Sequence, residues 1–153
     1  MQIYKTEHTE QEMCVFAVHL AKLLKPSDCL CFHGNLGAGK TTFIRAMIQH
    51  LVQVETVPSP TFTLVQTYDS LIGQLWHFDL YRIKQPEELY ELGFEEALAG
   101  GILFIEWPDH AKGLLPVNQL QLHLDHAPKE EKRVIKITGD AVWANRLAPL
   151  NQH

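Results

Sequence analysis

The chain has 153 residues, of which 46% are hydrophobic and 20% charged, the balance of a globular protein with one sizeable core and not of a disordered, collagenous or coiled-coil chain. Its net charge of −5, from 13 Lys+Arg against 18 Asp+Glu, argues against a self-sufficient DNA or RNA binder, which carries a basic face to neutralise phosphates. Three cysteines, Cys14, Cys29 and Cys31, are too few and too odd in number for a disulfide framework, so a reduced, cytoplasmic setting is expected.

Met1-Gln2-Ile3-Tyr4-Lys5 leads into a polar stretch, and no signal peptide is expected. Thr9-Glu10-Gln11-Glu12 reads as a capping box, with Thr9 as N-cap and Glu12 three residues on. Met13, Phe16, Ala17, Leu20 and Leu24 follow at helical spacing, and Pro26 closes the helix. This longest apolar segment, residues 13–24, is broken by His19 and Lys22 and is too short to cross a membrane. Residues 29–33 form a short apolar run, a buried parallel strand in which Cys29 and Cys31 are strand neighbours and not metal ligands. A glycine-rich turn leads into a helix over 41–52, whose apolar positions are Phe43, Ile44, Met47, Ile48 and Leu51.

Pro58-Ser59-Pro60 makes a rigid loop, since proline blocks helix and holds its predecessor extended. Strands are expected over 61–68 and 74–82, around a turn at 69–73. Pro86-Glu87-Glu88 starts another helix, split at Gly93, and Gly100-Gly101 ends it. A second continuously apolar strand follows at 102–105. Residues 120–124 and 134–137 alternate as an antiparallel hairpin, and residues 140–150 read as a short helix. With no repeat or linker, one domain over 1–153 is expected, an α/β fold whose mixed sheet has parallel core strands, antiparallel additions and flanking helices.

Gly34-Asn35-Leu36-Gly37-Ala38-Gly39-Lys40-Thr41 matches the phosphate-loop pattern, between an apolar strand and an amphipathic helix as that pattern requires. Glycines let backbone N–H groups curl inward around an anion at a positive helix N-terminus. Lys40 is the point charge for the β- and γ-phosphates, and the Thr41 hydroxyl is a ligand for Mg²⁺, a cation that prefers oxygen donors. A triphosphate site also needs an acid at a strand end to hold Mg²⁺ or its waters. Glu106 closes the run at 102–105, where a charge needs a partner, and Asp79 stands inside the apolar segment His77-Phe78-Asp79-Leu80-Tyr81-Arg82. Asp79 has a second reading, a salt bridge to Arg82 or to a cation on a neighbouring strand. Thr61 is the candidate for a nucleotide-ordered switch loop, with a proline-stiffened turn as the plainer alternative. The nine histidines are scattered; His123 and His126 lack acid or cysteine partners at useful spacing, so a zinc site is rejected and both are expected at the surface. Glu87, Glu88, Glu91, Glu95 and Glu96 read as a solvated helix face, or as a docking surface for a basic partner.

Four segments in order resemble the bacterial TsaE (formerly YjeE) proteins: the loop from Gly34 through Thr42, Pro58-Ser59-Pro60-Thr61-Phe62-Thr63-Leu64-Val65, His77-Phe78-Asp79-Leu80-Tyr81-Arg82 and Ile105-Glu106-Trp107-Pro108. The resemblance runs over nearly the whole chain. It implies a small P-loop ATPase, with weak and partner-stimulated turnover, required to form N6-threonylcarbamoyladenosine at position 37 of tRNAs that read codons starting with A. The implied partner is the TsaD–TsaB heterodimer, with tRNA reached only through that complex and no part for DNA or a membrane. The implied cofactors are ATP or ADP with Mg²⁺. By the same resemblance Leu36, Gly37, Ala38, Gly39, Lys40, Thr41 and Thr42 bind the nucleotide, Thr41 and Glu106 hold Mg²⁺, Asp79 supports hydrolysis, and Trp107 lies by the nucleotide. Thr9, Glu10 and Arg133 are carried over as contacts to the base. Asn35 departs from the family, which often has an acid there. The rival readings are a small-molecule kinase on the same phosphate loop and a nucleotide sensor without hydrolysis. Kinases of that kind carry an arginine-bearing lid, whereas the arginines here are Arg45, Arg82, Arg133 and Arg146.

Overall fold

The computed structural model describes residues 1–52, 64–127 and 131–152. Its frame is a seven-stranded sheet in the order β1-β7-β6-β2-β5-β4-β3, made of β1 (Gln2–Thr9), β2 (Cys29–His33), β3 (Val65–Ser70), β4 (Gly73–Asp79), β5 (Ile102–Glu106), β6 (Leu120–His126) and β7 (Lys132–Thr138). The four central strands β6, β2, β5 and β4 run parallel, and β1, β7 and β3 add on antiparallel. The mixed sheet with a parallel core is the architecture the sequence predicts. β2 and β5 are buried on both faces, which is why they read as unbroken apolar runs.

Alternation along the strands sorts the two faces. Leu30 and Phe32 of β2, Ile102 and Phe104 of β5 and Leu75 of β4 pack under α1 (Glu10–Ala21) and α2 (Lys40–Val52). Cys29 and Cys31, Leu103 and Ile105, and Trp76 and Phe78 pack on the opposite face, under a 3-10 helix at Pro86–Leu92 and α3 (Phe94–Leu98). Both cysteines are therefore core residues, as expected. α4 (Ala141–Arg146) closes the first face with Trp143, and a 3-10 turn at Ala148–Gln152 follows it.

Where expectation and structure differ, the causes are local. β1 is not legible as a strand, because as an edge element it is largely polar and only Ile3 and Tyr4 reach the core. β4 stops at Asp79 and not at residue 82. The Asp79 carboxylate accepts the Tyr81 N–H at 3.1 Å and turns the chain out of the sheet. The hairpin between β3 and β4 is tighter than a turn over 69–73: strand pairing reaches Ser70 opposite Gly73, leaving Leu71 and Ile72 at the tip. The helix at 86–92 is 3-10 and not α, and Gly93, at φ 83°, divides it from α3 as expected. Of the two histidines expected at the surface, His126 is exposed and His123 is less so. His123 is half-buried within β6 and stacks on His33 with ring centroids 4.5 Å apart. Residues 58–63, including Thr61, lie outside the described residues. Among the described residues, no helix is long and apolar enough to cross a membrane.

Candidate functional site

The site forms at the carboxyl ends of the parallel strands, the rim where open α/β sheets place ligands. β2 ends at His33 and α2 begins at Lys40, so the loop from Gly34 to Gly39 delivers the chain into the N-terminus of α2. Gly34 takes φ 146°, and a Cβ there would lie 2.2 Å from the Leu124 carbonyl oxygen of β6, so no other residue fits. Gly39 also has positive φ and sits against Met13 of α1. The first-turn N–H groups of α2 have no intrahelical acceptor and open toward the rim, the arrangement that favours an anion.

Around this loop lies a cleft of about 320 Å³, lined by Leu36, Gly37, Gly39, Lys40, Thr41 and Thr42 from the loop and helix, by Asp79, Tyr81, Glu106 and Trp107 from the strand ends, and by Glu10, Met13 and Arg133. Register accounts for the pairing of the acids. Asp79 of β4 stands opposite Glu106 of β5, and Glu106 stands opposite Phe32 of β2. By alternation both carboxylates project onto the α2 face. They are 6% and 2% exposed, respectively.

Glu106 is held from two sides. The Thr41 hydroxyl donates to its Oε1 at 2.8 Å, and Nε2 of His77 lies 2.7 Å from its Oε2. The Thr41 contact suits a divalent cation: giving its hydrogen to a carboxylate leaves the hydroxyl lone pairs as metal ligands. The residues present thus fit Mg²⁺, with Thr41 and Glu106 as the pair that would hold it. Lys40 is buried, its ammonium donating to the Gly34 carbonyl at 2.6 Å and lying 3.4 Å from the Trp107 ring centroid. Burial lowers its pKa from the ordinary value, with Glu106 and Asp79 acting in the opposite sense. Trp107 holds a left-handed backbone, φ 59° and ψ 53°, uncommon for a bulky residue. That turn brings its ring over Lys40 and within 5.1 Å of the Tyr81 ring.

The structure thus brings together Leu36, Gly37, Gly39, Lys40, Thr41, Thr42, Asp79, Glu106, Trp107, Glu10 and Arg133. Strand pairing of His8 with Arg133 and of Thr9 with Lys132 carries Arg133 to the start of α1. Ala38 is buried within the loop, its N–H bonded to the Asn35 carbonyl at 3.1 Å, and does not line the cleft. Thr9 faces an adjoining groove, which it shares with Glu10, Gln11, Glu131 and Arg133. Its hydroxyl accepts from Glu12 N at 3.2 Å, and Glu12 Oε1 accepts from Thr9 N at 2.8 Å, completing the capping box. Sequence reasoning missed His77 and Tyr81. The signal for His77 was its position two residues before Asp79, on the same face of a buried strand.

Strand, phosphate loop and helix, with a lysine and two rim carboxylates around them, define the class of P-loop nucleotide-binding proteins. The chain matches the family profile of threonylcarbamoyl adenosine biosynthesis protein TsaE over residues 7–135. It is 45% identical over 131 residues to the tRNA threonylcarbamoyladenosine biosynthesis protein TsaE of Rickettsia felis, covering 85% of this chain and 76% of that protein. The TsaE proteins of Haemophilus influenzae and Bacillus subtilis are 38% and 33% identical, covering 72% and 86% of this chain and 72% and 82% of theirs. Among solved structures, Bacillus subtilis YdiB superposes with a TM-score of 0.78 at 26% identity, over 100% of this chain and 96% of that one. The chain belongs to the TsaE family.

Proposed function

We propose that this protein binds and hydrolyses ATP in the biosynthesis of threonylcarbamoyladenosine on tRNA, working with the TsaD–TsaB heterodimer. Family membership supports the pathway, since the relatives carry that role in their names. The observation that carries the nucleotide chemistry is the Thr41–Glu106 hydrogen bond at the mouth of the phosphate loop.

In this reading the loop N–H groups and Lys40 take the phosphates, and Lys40 exchanges the Gly34 carbonyl and the Trp107 ring for phosphate oxygens. Thr41 and Glu106 would hold Mg²⁺, which would supply positive charge to offset that of the phosphates. Asp79, beside Glu106, is placed to orient the attacking water. The Trp107 and Tyr81 rings, with Glu10 and Arg133 across the cleft, flank the rest of the nucleotide. Arg133 is the arginine of the cleft lining, and its strand β7 is separated from β5 and β4, which carry Glu106 and Asp79, by β6 and β2. A partner-supplied cation therefore completes the transition-state charge balance, and hydrolysis resets a complex and does not itself perform the modification. The acidic chain reaches tRNA through its partners. Among the described residues, nothing in the site favours the kinase reading.

Equilibrium binding of ATP and ADP with and without Mg²⁺ tests this. Lys40→Ala is expected to weaken binding by roughly 10- to 100-fold, the loss of a charge-assisted contact, whereas Glu106→Gln is expected to remove the magnesium dependence and leave metal-free binding intact. Tight ATP binding by Lys40→Ala, or an unchanged magnesium dependence in Glu106→Gln, would refute the assignment.

A further inference from the structure

We infer that His77 is a positioning residue for Glu106, fixing the carboxylate that serves the cation; this rests on the nucleotide-site reading above. His77 is fully buried in β4, between the apolar Leu75 and the buried Asp79 on the same face of the strand. Burying an imidazole costs free energy unless its polar atoms are used. Here one nitrogen is used, Nε2 donating to Glu106 Oε2 at 2.7 Å, while Nδ1 has no hydrogen-bond partner among the described residues. A histidine kept for the stability of the strand would be satisfied at both nitrogens or replaced by an apolar side chain. This one retains its polarity for a single contact, and that contact is with Glu106.

The geometry explains what the contact does. A carboxylate at the end of β5 is free to rotate about its terminal torsion, which is broad and roughly two-fold. With Oε2 tied to His77 in the sheet, Oε1 is turned to the Thr41 hydroxyl and to the mouth of the loop. Thr41 fixes the same carboxylate from α2, so the two contacts clamp it between sheet and helix. Residues that orient a metal ligand in this way govern the affinity for the cation more than that for the organic ligand.

The test is a magnesium titration of the binding of a fluorescent ADP analogue, run on wild type, His77→Leu and His77→Gln, with thermal midpoints recorded alongside. Leucine fills the site without a donor, and glutamine restores an N–H toward Oε2. The expected result for His77→Leu is a rise of about 10-fold or more in the magnesium needed for half-maximal tight binding. Affinity in chelator is expected to stay unchanged, and His77→Gln to return the magnesium requirement toward wild type. A His77→Leu protein with wild-type magnesium dependence would overturn the inference alone. So would equal losses in both variants in chelator and in magnesium, which mark a structural role. Wild-type protein that binds no nucleotide would overturn the nucleotide reading and this inference together.

Discussion

Lys40 is a residue whose cost and use point in opposite directions. The residue is 5% exposed, and burial lowers its pKa from the ordinary 10.5. A lowered folded pKa means that the unfolded chain holds the proton more tightly, so Lys40 subtracts stability at neutral pH. That penalty fades as pH rises from the lowered folded value toward 10.5. Lys40→Met is thus expected to weaken nucleotide binding as Lys40→Ala does, yet to melt no lower than wild type at pH 7, with wild type gaining on it as pH approaches 10.5. Thermal melts of both proteins across that range check this; a gap that stays constant or widens in favour of Met contradicts it. At this scale the sequence was informative where a residue type is tied to a spacing, as for Lys40, Thr41 and the glycines. It was silent on His77, because a lone histidine in an apolar run reads as core until register places Glu106 beside it.

Among the elements, α1 has as its N-cap Thr9, where structural and ligand-binding readings meet. Its side chain starts α1 through the capping box, and α1 in turn sets Glu10 and Met13 in the cleft wall. Thr9→Ala is expected to cost about 1 kcal/mol through the lost cap, lowering Tm by roughly 2–4 °C. Thr9→Ser, which keeps the hydroxyl, is expected to match wild type in both Tm and nucleotide affinity. A wild-type Tm for Thr9→Ala together with weakened ADP binding would instead make Thr9 a ligand contact. The capping box, the two unbroken apolar strands and the phosphate loop were legible because their causes lie within a few residues. β1 was not, since a polar edge strand shows no clean alternation, and the end of β4 depended on the Asp79 side chain capturing the Tyr81 N–H, a competition that propensity does not report.

At the scale of the molecule, the parallel core β6-β2-β5-β4 gathers the loop, Asp79 and Glu106 at one rim. The order of strands could not be read from the chain, because pairing β2 with β5 and β6 joins segments some seventy to ninety residues apart. That pairing is what converts scattered motifs into a site. The site has its phosphate loop, its lysine and its acids from this chain, and under the proposed function TsaD–TsaB completes the transition-state charge balance. Steady-state ATP hydrolysis by this protein alone, and again with purified TsaD–TsaB and no tRNA, tests that most directly. A clear rise on adding the heterodimer, abolished by Glu106→Gln, is the predicted result. Turnover by the isolated protein as fast as in the assembly, or no rise at all, would contradict it.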